Sequence, residues 1–367
     1  MYHKAALTQR IFPIRALRLV LRTRPRSKMR PPDWRRPPVA PLNAARTAQA
    51  HRPYPLLRLC LFASLRLTLL MRVLIIGAGY VGLPLAAELA RRGHDVSALR
   101  RGGSAASQLR SANIKLFAAD ITQPAQLAGL PRDFDWVVNC VASGGGGVED
   151  YRRVYVQGMR NVIDWLVPVP HGDSAPRFVY TSSTSVYGQN DGSVVDEKSP
   201  TEPAAETARV LLEAEKELMT ASQERKFPAM ILRVAGIYGP DRGHWFQQFL
   251  KGEARIEGKG DRFLNMIHRD DVIGCIIAAL ERGRAGNIYN AVDDEPVSQF
   301  DFFSWLAAAL RKPMPVTVAE NTEATRKRGI TDKKVPNLKL RSELGYRFKY
   351  PTFREGYARP IQELARG

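Results

Sequence analysis

A chain of 367 residues, 44% hydrophobic and 25% charged, is long enough to bury a large core; one α/β body with a smaller lobe fits it better than several domains. The formal net charge of +19 is concentrated at one end: residues 1–70 hold 15 Lys/Arg against a single acid, Asp33, whereas residues 71–367 hold 40 Lys/Arg against 35 Asp/Glu. The basic balance therefore describes the leader and not the body, and charge gives no argument for a nucleic-acid partner of the folded part.

That leader is rich in Arg and Pro, as in Arg30-Pro31-Pro32-Asp33-Trp34-Arg35-Arg36-Pro37-Pro38, and has no sustained apolar period. Leu56 to Leu70 is apolar but short, and Arg58 and Arg66 interrupt it, so it does not read as a membrane span. Its composition suits a transit peptide. Translation beginning at Met71, one residue before the first predicted strand, is the preferred reading, and a basic arm for nucleic acid comes third. If the leader is made, it is expected to be largely disordered. Cys60, Cys140 and Cys275 show neither metal-ligand spacing nor pairing, which points to no metal, a reducing compartment and the cytoplasm.

The first structured stretch is Arg72 to Arg101, RVLIIGAGYVGLPLAAELARRGHDVSALRR. Val73-Leu74-Ile75-Ile76 suits a strand buried on both faces. Gly77-Ala78-Gly79-Tyr80-Val81-Gly82 follows, then a helix from about Leu83 to Arg92, a stop at Gly93, and a second strand over 95–99. Strand, glycine turn, helix and strand together give a GxGxxG motif its meaning as a dinucleotide site. Gly77 permits the tight turn, Gly79 lets backbone approach a pyrophosphate, and Gly82 permits close helix–strand packing. Tyr80 and Val81 complete the turn at the helix N-terminus, whose N–H groups face an anion.

Arg100-Arg101 stands about where an acid would accept from the ribose 2′-OH of NAD. Guanidinium matches a 2′-phosphate instead, so NADP(H) is preferred over NAD. A third strand over 115–120 ends at Asp120 and Ile121, where an adenine pocket can form, although Asp120 also suits a helix cap. A fourth buried strand, Trp136 to Ala142, carries Val141 and Ala142 into Ser143 and a run of four glycines at its carboxyl end, where open α/β sheets bind ligands. A helix from about Asp150 to Leu166 follows, and a fifth strand over 177–180 runs into Thr181-Ser182-Ser183-Thr184-Ser185-Val186-Tyr187-Gly188.

TSSTSVYG resembles the active-site strand end of the extended short-chain dehydrogenase/reductase family, the NAD(P)-dependent epimerase/dehydratase group. Leu232-Arg233 through Tyr238-Gly239-Pro240 resembles that family's LRxxxxYGP segment, Ile267-His268 through Asp271 its IHxxD segment, Gly286 through Asn290 its GxxYN strand, and Leu344-Gly345-Tyr346 its closing turn. The likeness covers 71–360 in order. It implies a Rossmann-type, doubly wound parallel sheet with helices on both faces and a small substrate lobe built from about Gly236 onward.

The resemblance also implies a chemistry: a Ser or Thr polarises the substrate, and a Tyr four residues before a Lys moves the proton while the Lys lowers its pKa and holds the ribose. Ser183 takes the first role. The pair itself is missing, because Ala205 stands at the Tyr position and Arg209 at the Lys position. Arginine keeps a positive charge near the cofactor, but alanine has no proton to give. Tyr187 is the replacement acid this pattern suggests, and Tyr155, where the family often has Asn, is another candidate. The family's Asn after the LR strand is Gly236 here and Arg262 is only near its Arg position, so nucleotide sugars are not favoured. Asp241 through Trp245 suits either a pocket for an anionic substrate or a solvated loop. The expected protein is thus an atypical NADP(H)-binding oxidoreductase or epimerase-like enzyme acting on a small molecule, with homodimerisation suggested only by the resemblance. Its rivals are a non-catalytic dinucleotide sensor and a nucleic-acid binder using the leader.

Overall fold

The structure, a computed structural model, describes residues 70–102, 113–167, 175–319 and 331–366. The basic leader and Cys60 lie outside these described residues. The strands are β1 (Arg72–Ile76), β2 (Asp95–Arg100), β3 (Lys115–Ala118), β4 (Trp136–Asn139), β5 (Arg177–Ser183), β6 (Asn190–Val194), β7 (Ala229–Val234), β8 (Gly236–Tyr238), β9 (Arg255–Glu257), β10 (Phe263–Leu264), β11 (Met266–His268), β12 (Ile288–Ala291), β13 (Val297–Ser298), β14 (Val316–Val318) and β15 (Asp332–Lys334). Seven of them form one sheet in the order β12-β7-β5-β4-β1-β2-β3, and every neighbouring pair is parallel. Parallel pairing requires crossovers that cover both faces, so the central strands must be apolar throughout. They are: Val73 through Ile76 in β1 and all six residues of β7 are buried.

Helices Gly82–Arg91 and Glu206–Glu224 and the helical run 148–166 provide crossovers between the parallel strands. Gly93, at φ +91°, follows the first of them and turns the chain into β2. Chain order reverses between β1 and β4, which places the ligand crevice of such sheets at the carboxyl ends of those two strands.

Two strands stop before the sequence suggests. β3 ends at Ala118 because Asp120 turns the chain, its Oδ1 accepting from the Thr122 N–H at 2.9 Å. β4 ends at Asn139, whose Oδ1 accepts from the Val141 N–H at 3.4 Å in place of a ladder partner. β5 runs longer than the sequence suggests, pairing with β7 as far as Ser183–Val234. The 148–166 helix is not uniform: Arg152–Gln157 forms a π-helical stretch between two α-helical pieces, a device that recurs at functional sites.

A second, smaller core is aromatic. Tyr238, Phe246, Phe249, Phe302, Phe303, Phe353 and Tyr357 cluster apart from the sheet core. Tyr357 stacks between Tyr238 and Phe246, with ring centroids 4.6 Å apart in each case. Where this lobe meets the sheet body, His268 caps the Arg269–Arg282 helix, its Nδ1 accepting from the Asp270 N–H at 3.1 Å. Among the described residues no helix is long and apolar enough to cross a membrane.

Burial holds the His268 imidazole down to about 4. The folded protein keeps it neutral, while the unfolded chain binds a proton near pH 6.5, so its contribution is complete above that pH and is lost as pH falls toward 4. His268→Asn retains an acceptor for the cap. The loss of thermal stability between pH 6.5 and 4 is expected to be shallower in His268→Asn than in the parent, and equal slopes would contradict this role.

Candidate functional site

The glycine turn can be read by asking what a methyl group would meet at each position. At Gly77, where φ is +92°, a Cβ would lie 2.7 Å from the Val141 nitrogen. At Gly82 it would lie 2.3 Å from the Gly77 carbonyl oxygen and 3.0 Å from Cys140 Sγ. At Gly79 its nearest neighbour would be the Gly77 oxygen at 4.0 Å. The protein's own packing therefore requires Gly77 and Gly82 but not Gly79. What the absent side chain at Gly79 provides is a bare backbone face on the adjoining cavity, as close approach of a pyrophosphate demands. The helix that follows has no side-chain cap and no acid in its first turn, so nothing on it competes with an anion.

The cavity holds about 410 Å³ at the carboxyl ends of the central strands. Gly77, Gly79, Tyr80, Val81, Arg100, Arg101, Asp120, Ile121, Val141, Ala142 and Ser183 all reach its wall. Gly82 lies just beneath the turn, against Cys140. Ser143 does not reach the wall, but its N–H donates to Tyr155 Oη at 3.2 Å, and Tyr155 does line the cavity, carried there by the π-helical stretch. Arg100 is held beside the turn, Nη1 donating to the Ala78 carbonyl at 3.3 Å and Nε to Gly102 at 3.0 Å, while Arg101 is exposed. Ser183 Oγ accepts from the Ser185 N–H at 3.2 Å. Cys140 also touches the cavity, but burial pushes its thiol up to about 12, which leaves it un-ionised at neutral pH.

Two of the residues expected at the reacting centre lie elsewhere. Tyr187 is completely buried behind the strand end, its Oη donating to Asn290 Oδ1 at 2.8 Å and its ring 4.8 Å from the Arg233 guanidinium carbon. Burial raises its phenol pKa more than Arg233 lowers it. Arg209 is exposed and lines a separate depression beside Thr201 through Ala204, where its Nε donates to the Pro203 carbonyl at 3.0 Å. The reason is where the helix begins. Ala205 is its N-cap, so Arg209 lies in the first turn facing the preceding loop, and Leu211 is the residue this helix sends to the cavity.

A buried polar network stands behind the serines. Ser182 Oγ donates to Glu215 Oε1 at 2.6 Å, and Arg233 donates to the same carboxylate through Nη2 at 2.7 Å and Nε at 3.2 Å. Burial opposes the Arg233 charge, but Glu215 more than compensates and its pKa lies above the ordinary arginine value. The signal in the sequence was Glu215 on the helix's apolar face, with Leu211, Ala214 and Leu218. A carboxylate there needs a cation, and Arg233 in the next strand supplies it. Arg242, from the turn after β8, also reaches the cavity wall. Among the described residues no group of three or more His, Cys, Asp or Glu is placed to hold a metal ion.

A glycine-marked Rossmann crevice with strand-end hydroxyls is the architecture of nucleotide-dependent oxidoreductases and their relatives. The family model for the NAD dependent epimerase/dehydratase family matches residues 73–291, and the chain belongs to that family, within the extended short-chain dehydrogenase/reductases. It is 29% identical over 288 residues to Protein YeeZ of Escherichia coli K12, covering 76% of this chain and 96% of that protein. It is 28% identical over 310 residues to the 3-diazoavenalumate denitrifying reductase of a Streptomyces species, covering 79% of this chain and all of that one. The fold matches that of the dTDP-glucose 4,6-dehydratase DesIV of Streptomyces venezuelae, solved with NAD and TYD bound, at a TM-score of 0.67 and 23% identity over 81% of this chain and 98% of that one.

Gly82→Ala is expected to lower the melting temperature markedly, because the new methyl meets backbone. Gly79→Ala should melt within a degree or two of the parent yet bind dinucleotide at least tenfold more weakly; unchanged dinucleotide affinity in a folded Gly79→Ala protein would contradict the role given to that position. Arg233→Met leaves Glu215 as an unpaired buried carboxylate and should cost about 3–5 kcal/mol in denaturant unfolding. A loss below about 1 kcal/mol would show that the network is not what holds the two elements together.

Proposed function

We propose that the protein is an NADPH-dependent reductase acting on a small carbonyl compound in this cavity. The observation that carries the reading is the continuity of one wall: the uncovered backbone of Gly79, two arginines and no acid at the end of β2, and the hydroxyls of Ser183 and Tyr155 border the same space. Arg100 and Arg101 favour a 2′-phosphate over a free ribose hydroxyl. Asp120 supports an adenine or ribose contact, although one of its oxygens is engaged by Thr122. Arg262 is paired with Glu257 at 2.9 Å, which argues against its holding the diphosphate of a nucleotide sugar.

When bound, the reduced nicotinamide supplies a hydride to the carbonyl carbon. Ser183 orients the carbonyl oxygen, and Tyr155 gives that oxygen its proton and is reprotonated from solvent. No lysine stands four residues after Tyr155, where Met159 is found. Tyr155 is therefore assigned only the general acid's role toward the carbonyl oxygen. Tyr187 fits the acid's role less well because it is sealed behind the strand end. The exposed position of Arg209 and the alanine at 205 favour one other reading, a dinucleotide sensor without turnover. A homodimer is proposed on the family likeness alone.

NADPH and NADH titrated separately into the full chain, followed by cofactor fluorescence, should show NADPH binding at least tenfold tighter, with the difference erased in Arg100→Ser/Arg101→Ser. A preference for NADH would remove the 2′-phosphate assignment, and binding of neither would remove the dinucleotide reading. With aldehydes and ketones as substrates, Tyr155→Phe should lower kcat for NADPH oxidation about 100-fold or more, and Tyr187→Phe should leave it within about threefold. Tight NADPH binding with no turnover across the panel would favour the sensor.

A further inference from the structure

We infer that Arg242 reaches across from the small lobe and pairs with the pyrophosphate of the bound dinucleotide. This rests on the dinucleotide reading above and adds to it a second wall for the same ligand. Arg242 follows β8 and lines the cavity, with its guanidinium carbon 4.9 Å from the ring centroid of Tyr80. Tyr80 belongs to the glycine turn, next to Gly79. The charge therefore sits beside the backbone that a pyrophosphate approaches, on the Tyr80 side of the turn, while Arg100 is held on the Ala78 carbonyl.

Arg242 is free to take such a ligand. No described carboxylate forms an ion pair with it, whereas the other guanidinium over Tyr80, that of Arg269 at 5.2 Å, is paired with Asp270 at 3.2 Å. The turn that carries Arg242 is firmly built. Gly239 and Arg242 exchange backbone hydrogen bonds of 3.0 and 3.1 Å, and Tyr80 Oη donates to the Pro240 carbonyl at 3.0 Å, tying this turn to the glycine turn. Asp241 takes a left-handed φ of +57°, and Gly243, at φ +151°, passes so close to Tyr357 that a Cβ there would lie 2.5 Å from its hydroxyl. Strained backbone of this kind persists where the surroundings enforce it, and it recurs at ligand clamps.

The ligand's charge makes the same demand. A pyrophosphate brings two negative charges, and a helix N-terminus answers with the equivalent of about half a positive charge. Arg209, the cation expected beside the cofactor, faces the other way, on the Pro203 carbonyl. Arg242 adds a cation on the Tyr80 side of the turn, and an arginine fork suits phosphate oxygens. Because Tyr80 fixes Pro240, binding the dinucleotide also fastens the small lobe to the sheet body at this point.

Calorimetric titration of the full chain with NADPH, NADH, ADP-ribose and adenosine 2′-monophosphate tests the inference, since only the last lacks a pyrophosphate. Arg242→Ala should weaken the first three by about tenfold or more and by similar factors, while the affinity for adenosine 2′-monophosphate stays within about twofold, which also certifies a folded site. Arg242→Lys should recover part of the loss. Unchanged affinities for all four ligands would overturn the clamp while leaving the dinucleotide reading intact, and an equal loss for all four would overturn it by showing a general disturbance of the fold. A parent chain that binds none of them would remove the dinucleotide reading and the clamp with it.

Discussion

The cavity depends on how closely two stretches of backbone pass one another. After β1 the chain turns at Gly77, and a Cβ there would lie 2.7 Å from the nitrogen of Val141 in the segment leaving β4. Adjacent parallel strands whose crossovers depart in opposite directions leave a gap at their carboxyl ends, and here that gap closes to backbone contact at its base. The helix following the turn is drawn in equally tightly, since Gly82 leaves no room between it and the Gly77 carbonyl. Only above this contact, at Gly79, does space open. The tightness below and the openness above place a helix N-terminus at one side of a cavity and strand-end hydroxyls at the other.

The hydroxyl side has its own foundation. Ser182 and Ser183 end β5, and the Glu215–Arg233 pair behind them joins the Glu206–Glu224 helix to β7. The network holds the strand end against that helix. Leu211 is that helix's contribution to the cavity, and Arg209 sits on the loop outside. The strand-end side of the wall presents the hydroxyls of Ser183 and Tyr155.

Much of this was legible because it is local. The buried strands β1 and β4 read as continuous apolar runs, and the residues that follow each strand end, from Gly77 to Val81 and from Val141 to Ala142, necessarily arrive at the same edge of a parallel sheet. Legibility failed where a side chain's direction depends on a register set elsewhere. Tyr187 follows a short helical turn over Thr184–Val186 that carries it inward to Asn290, more than a hundred residues away in sequence. Arg209 depends on where its helix starts, and the N-cap there, Ala205, makes no side-chain capping bond that would mark it in the sequence. The Glu215–Arg233 pair joins two elements whose partnership appears only once the sheet is assembled. Arg242 owes its place to a turn with a left-handed Asp241, a conformation that residue type permits but does not announce.

The most direct test of the account is a crystal structure of the full chain grown with NADP⁺. The pyrophosphate should lie against the backbone of Gly79 and Tyr80, the 2′-phosphate between Arg100 and Arg101, and the nicotinamide toward Ser183 and Tyr155. A dinucleotide bound in the reverse direction, with its adenine at Ser183, or one bound outside this cavity, would contradict the account at its centre.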